Sequence, residues 1–191
     1  SSRGVETQNK YVGGYVEPVS ADLTTNTNRY ELELMGRVWS TDALYDNGAM
    51  SKYATLTAIS ESPLVEGLLY TGSDDGLIHV SETGGEHWRM AGPLPKVPER
   101  SFINHMEASL HDEATVFAVA DAHKFGDYSP YLFMSTDRGI TWASIAGDLP
   151  EGTIVWVIKQ DHENENLLFI GTEYGIFFSI NRGENWIKLG G

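Results

Sequence analysis

The sequence predicts an all-β fold built from repeated four-stranded units, and three observations carry that expectation. An eight-residue phrase occurs three times, as SETGGEHW at 81–88, STDRGITW at 135–142 and SINRGENW at 179–186. The segments leading into the first and last copies, LLYTGSDDGLIHVS at 68–81 and LLFIGTEYGIFFS at 167–179, are nearly the same. Each reads as a strand, a tight turn carrying Gly76 or Gly175, and a second strand ending in the phrase's Ser. Finally, no stretch sustains apolar residues at helical spacing for three turns.

The phrase, Ser-x-(Asp/Asn/Thr)-x-Gly-x-x-Trp, has the chemistry of a hairpin turn. A Ser hydroxyl and an Asp or Asn side chain two residues on can accept backbone N–H groups across the turn, and Gly takes a positive φ without steric cost. The Trp then returns the chain to the core. The residues assigned to this structural role are Ser81, Gly85, Trp88, Ser135, Asp137, Gly139, Trp142, Ser179, Asn181, Gly183 and Trp186. Only the middle copy has Asp at the third position, since Thr83 and Asn181 replace it in the others.

This pattern resembles the Asp-box, or BNR, repeat. The resemblance implies a β-propeller of the kind found in bacterial BNR-repeat glycosyl hydrolases, xyloglucanase-like enzymes and sortilin (VPS10)-like receptors. It covers roughly residues 53–191, and PVSADLT at 18–24 resembles the segment after a box in the bacterial glycosyl hydrolases, as if an earlier blade ended there.

Taken in order, residues 1–52 read as a loop-rich segment with short β-like runs such as Tyr30–Leu34. Three blades come next, at 53–95, 96–148 and 149–191. First strands are expected in ATLTAISESP at 54–63, FINHMEASLHD at 102–112 and IVWVIKQDH at 154–162, with Trp156 packed among its Val and Ile neighbours. The middle unit has its second and third strands in TVFAVA at 115–120 and YLFMS at 131–135, joined by a longer loop, DAHKFGDYSP. A fourth strand begins at each box Trp. Box-to-box intervals of about 54 and 44 residues suit propeller blades. Three blades do not close a ring, so the sequence predicts part of a six- or seven-bladed propeller, completed by the same gene or by another chain.

Composition narrows the partners. Thirteen Lys and Arg against 27 Asp and Glu give a formal charge of −14, which disfavours nucleic acid and anionic membrane surfaces. The absence of cysteine removes disulfides, thiolate metal sites and Cys nucleophiles together. No apolar run reaches the length of a membrane span, and the opening SSRGVETQNK has no apolar h-region. The family resemblance implies an extracytoplasmic setting, secreted or periplasmic.

In such a propeller the box turns lie opposite the usual ligand face, which is built from the connections between second and third strands. Those connections hold Asp74 and Asp75 in the first unit, Asp121, His123, Lys124, Asp127 and Tyr128 in the second, and Glu173 with Tyr174 in the third. The candidate ligand-binding residues are therefore Asp75, Asp121, Asp127, Tyr128 and Glu173. Carboxylates beside aromatic rings suit a sugar, and carboxylate oxygens alone would suit Ca2+, the one cofactor the cluster admits. Asp-Asp-Gly and Glu-Tyr-Gly are equally turn chemistry.

Glycoside hydrolysis, the enzymatic activity the resemblance implies, needs two carboxylates flanking the bond. Spacing singles out no pair, so the catalytic residues stay unassigned. Two of the seven arginines, Arg138 and Arg182, sit inside boxes, which argues against a sialidase arginine cluster. No His-x-x-x-His pair, phosphate loop or nucleophile elbow is present, and no metal ligands are assigned. His105, His111 and His162 read as surface residues near strand ends. The expected function is a carbohydrate-active or carbohydrate-binding propeller acting on a polysaccharide or glycan. The alternative is a non-catalytic protein-interaction or assembly scaffold, as in the sortilin-type receptors or the photosystem-assembly propellers whose repeat this one resembles.

Overall fold

The computed structural model describes residues 10–12, 15–17 and 55–190. Lys10–Val12 (β1) and Tyr15–Glu17 (β2) form a short antiparallel hairpin. Tyr30–Leu34, PVSADLT and most of the 1–52 segment lie outside the described residues.

Beyond them stand three four-stranded antiparallel sheets, each pairing its strands in sequence order. The first holds Leu56–Glu61 (β3), Leu69–Ser73 (β4), Ile78–Ser81 (β5) and Arg89–Met90 (β6). The second holds Phe102–Ala108 (β7), Val116–Ala122 (β8), Asp127–Ser135 (β9) and Ala143–Ser144 (β10). The third holds Val155–Gln160 (β11), Leu168–Thr172 (β12), Gly175–Ser179 (β13) and Ile187–Lys188 (β14). As expected, each short fourth strand starts one residue after a box Trp.

The sheets stack face to face, and β8 shows why. Every residue of β8 is buried, and a strand alternates its side chains between two faces. Val116, Ala118 and Ala120 belong to a core shared with Leu68, Tyr70, Ile78 and Val80 of the first sheet. Phe117 and Val119 belong to another shared with Ile158, Leu168 and Ile170 of the third. Trp142 sits in the first of these cores and Trp186 in the second, so each of these box tryptophans fills the seam toward the preceding sheet.

Polar clasps join the first strands across the seams. Ser60 Oγ accepts the Ala108 amide at 2.9 Å, and Glu107 Oε1, at the equivalent position one sheet on, accepts the Gln160 amide at 3.0 Å. Gln160 Oε1 in turn accepts the Ser109 hydroxyl at 2.8 Å. His111, expected as a surface residue, instead bridges sheets through its Nε2, 2.7 Å from the Asp161 carbonyl oxygen. Glycine marks the closest approaches. A Cβ on Gly92 would collide with the Ile140 carbonyl oxygen, and one on Gly147 would lie 2.6 Å from that of Glu184, so both glycines press on the next unit's box turn.

Two further expectations need correcting. DAHKFGDYSP is not one long loop, because β8 runs on through Ala122 and β9 starts at Asp127. Only a 3-10 turn at His123–Phe125 and Gly126 lies between them. Alternation across Asp121–Ala122 and Asp127–Ser129 lets the hairpin extend, with a bulge between Ala120 and Ala122 absorbing the mismatch. Trp156 is not packed in the core, since it is 40% exposed. It is the extra residue of a bulge between Val155 and Val157, which turns its ring out of the Val and Ile layer.

Candidate functional site

The three boxes make the same bonds. Ser81, Ser135 and Ser179 Oγ accept the amides of Gly85, Gly139 and Gly183 at 2.9, 2.8 and 2.8 Å. Thr83 Oγ1, Asp137 Oδ1 and Asn181 Oδ1 accept the amides of His87, Thr141 and Asn185 at 2.8, 2.8 and 3.1 Å. Any oxygen at the third position suffices, which explains why Thr and Asn are tolerated there. Asp137, held by the Thr141 hydroxyl and amide and by Ser135, has its pKa lowered to about 2. Gly84, Arg138 and Arg182, at φ of 65°, 56° and 56°, donate their amides to Gly67, Ala114 and Asn166 carbonyls in the turns between first and second strands. Boxes and those turns thus share one end of each sheet.

The second-to-third-strand connections consequently lie at the opposite end, and they hold the predicted ligand residues. Asp75 is 3% exposed, its Oδ1 accepting the Ser73 hydroxyl. Burial raises its pKa. Its neighbour Asp74 and the third unit's Glu173 play one structural part, accepting the Thr55 and Ile154 amides at the entry to β3 and β11, each at 3.0 Å. Asp127 accepts the Ser129 amide at 2.9 Å and the Tyr131 hydroxyl at 2.7 Å, and these bonds lower its pKa. Burial, with Asp127 adding, pushes the Tyr131 phenol up to about 12. Tyr128 beside it is 53% exposed.

Asp121 anchors the densest group. Its buried carboxylate accepts the Asn104 amide group at 3.2 Å and the His123 backbone amide at 2.8 Å, and it also bonds His123 Nδ1. That fixes the imidazole edge-on to Trp156, ring centres 5.8 Å apart at 68°. Nearby, Lys124 Nζ lies 3.9 Å from the Phe102 ring centre. The turn end thus presents four exposed rings, since Phe125 at 51%, Trp156 at 40% and Tyr174 at 58% join Tyr128.

Sequence reasoning missed Trp156 and Asn104. A signal existed, because each first strand carries a bulge at the same register, placing Thr57, Asn104 and Trp156 as its extra residues. Aligning LTA, INH and VWV shows a position that changes from Thr to Asn to Trp while its neighbours stay mostly apolar. Among the described residues, no group of three or more His, Asp or Glu side chains is close enough to hold a metal ion. None of their helices is long and apolar enough to cross a membrane.

No protein-family model matches the chain, and no curated protein is similar to it. Solved structures are. The chain is similar to an ancestral GH74 enzyme, with a TM-score of 0.58 and 19% identity over 83% of this chain and 22% of that one. It is similar to the GH74 xyloglucanase of Xanthomonas campestris, with a TM-score of 0.54 and 14% identity over 71% and 23%. YCF48 from Cyanidioschyzon merolae gives a TM-score of 0.52 and 18% identity over 75% and 39%. All are β-propeller proteins. The fold is a β-propeller segment. It spans less than half the length of each of these propeller proteins, and identities this low speak to fold alone.

Proposed function

We propose that this propeller segment binds a glycan on the end opposite its boxes, as a binding module rather than as a hydrolytic centre. The observation that carries the reading is that the exposed rings Phe125, Tyr128, Trp156 and Tyr174 all belong to that end, with Trp156 against the His123 that Asp121 holds. Exposed rings offer sugars an apolar platform. A polar group fixed next to a ring reads the hydroxyl edge. His123 does so with Nε2, since Nδ1 is held by Asp121.

Catalysis is not part of the reading because Asp121, Asp127 and Glu173 are committed to local bonds. Asp121 orients His123 and Asn104, Asp127 pins its own strand, and Glu173 caps β11. A hydrolase acid and its partner must instead both face the glycosidic bond. The likeness to GH74 structures supports a glycan as ligand, and a glycan ligand in turn favours a location outside the cytoplasm.

Calorimetric titration of xyloglucan and other β-glucan oligosaccharides tests it. Trp156→Ala should weaken binding roughly tenfold with little change in melting temperature, as should Tyr128→Ala. Absence of glucan binding by the folded protein removes the reading in favour of a protein-interaction scaffold. That second reading is favoured by another structural relative, a YCF48 solved bound to a D1 peptide, with a TM-score of 0.50.

A further inference from the structure

Strand β7 carries a histidine on its side toward the third sheet. His105 pairs with Val119 and Glu107 with Phe117 across β7–β8, with no break in register between them. Cross-strand partners share a face, and Phe117 and Val119 belong to the core shared with the third sheet, so His105 and Glu107 face that seam. Met106 and Ala108 face the first sheet instead. The sequence reads His105 as a surface residue, but it is only partly exposed, and its Nδ1 is closed off from solvent with no hydrogen-bond partner.

A neutral imidazole tolerates that setting better than a charged one. Protonation puts an N–H on both ring nitrogens, so the Nδ1 donor would be buried without an acceptor while a positive charge enters the seam. Two ionisable groups bear on that charge. Glu107 on the same strand favours it, and Lys159 on β11, 2.6 Å from Glu107 Oε2, opposes it. Across β8 the partner is the apolar Val119. Burial is the largest influence and lowers the His105 pKa from its ordinary 6.5. The seam also holds a bond that reports on its closure, since Glu107 Oε1 accepts the Gln160 amide. Its counterpart between the first and second sheets is the Ala108 amide on Ser60 Oγ.

We propose that His105 makes the seam between the second and third sheets an acid-sensitive joint, which protonation of its ring loosens while the seam between the first and second sheets stays closed. The sign follows from the two states. In an open seam the ring is hydrated and titrates near its ordinary value, whereas the closed seam disfavours the proton. Opening therefore takes up a proton and becomes easier as pH falls below about 6.5. One proton limits the effect to about tenfold per pH unit. The contact of Trp156 in the third sheet with His123 in the second crosses the same seam, so the two sides of the aromatic end part with it. The joint needs no glycan to work and is read from backbone amides alone.

Hydrogen exchange of the isotopically labelled full chain, followed by NMR between about pH 7.5 and 5 and corrected for the intrinsic exchange rate, is the test. Protection of the Gln160 amide should fall below about pH 6.5, by up to about tenfold per unit, while protection of the Ala108 amide holds. His105→Leu should abolish the fall at Gln160. Constant protection at Gln160 in the wild type, an equal fall at Ala108, or a fall that persists in His105→Leu each overturns the proposal. If His105→Leu does not fold, His105→Gln takes its place, since its neutral amide gains no proton over this range, and the fall must vanish there as well.

Discussion

The three box tryptophans should differ in what they contribute to stability, although their sequence positions are identical. Trp142 and Trp186 are buried in the seams between sheets, whereas Trp88 is only partly buried. Truncating a buried Trp to Ala removes its transfer free energy and leaves a cavity, together roughly 3–5 kcal/mol. For Trp142 nothing polar is added, because its Nε1 has no hydrogen-bond partner. For Trp186 there is an addition. Its Nε1 donates to Ile145 O at 2.9 Å inside the core, and losing that donor strands a buried carbonyl for about a further 1–2 kcal/mol. Trp88 Nε1 donates to Gly85 O at 3.0 Å within its own turn, where water can replace it. Because Trp88 is only partly buried, Trp88→Ala should cost less, about 1–2 kcal/mol.

The expected order is therefore Trp186 above Trp142, and Trp142 well above Trp88. Urea denaturation of the three Ala variants reads it directly, through midpoints compared at an unchanged m-value. Circular dichroism should be the probe, since each substitution removes one of the five tryptophans and so alters the fluorescence signal itself. A Trp88→Ala penalty equal to that of Trp186→Ala would show that the seams are not where the boxes act. A native midpoint in Trp142→Ala would remove the stacked-sheet account altogether.

The polar contacts set the outcome of other perturbations. Asp137 has a folded pKa of about 2 against an ordinary 3.8, so its contribution is complete above the ordinary value and fades as pH falls toward 2. Asp137→Ala should flatten that stretch of the acid-stability curve, and unchanged acid sensitivity would count against the turn bonds. At neutral pH the same variant should cost only about 1 kcal/mol, because the Thr141 amide it leaves is exposed. Glu107→Ala removes the acceptor for the buried Gln160 amide and should cost roughly 1–3 kcal/mol by thermal melting. Lys159, 2.6 Å from Glu107 Oε2 without hydrogen-bond alignment, is 66% exposed and should return to water. Lys159→Ala should also destabilise measurably, because it strips the buried Glu107 carboxylate of its cation.

The parts of the fold legible in the sequence are those set by local chemistry that recurs. LLYTGSDDGLIHVS and LLFIGTEYGIFFS specify a hairpin through alternation and a turn glycine, and the box through hydroxyl, oxygen acceptor and glycine at fixed offsets. Such features need no knowledge of the neighbouring sheet. DAHKFGDYSP misled because loop composition is judged by polarity, whereas Asp121 and Asp127 lie within paired strand backbone and spend their carboxylates on His123 and Tyr131. His111 misled for a related reason. Its partner, the Asp161 carbonyl, lies 50 residues away in the next sheet.

The candidate site was the least legible part, and bulges are the physical cause. Strict alternation assigns Val155, Trp156 and Val157 to two buried faces, so a Trp there reads as core. One extra residue breaks the alternation at that point and releases the side chain sideways. The same irregularity recurs at Thr57 and Asn104, where it costs nothing visible because both residues are polar and find acceptors, Thr57 in Ile103 O at 2.7 Å and Asn104 in Asp121. Trp156 has no such acceptor and stacks its edge with His123, which Asp121 holds from the neighbouring sheet. The ring's exposure is thus fixed from two directions, by the bulge in its own strand and by a hydrogen-bonded partner across the seam. A core Trp is held by neither, so removing Trp156 should change what the protein binds far more than how firmly it folds.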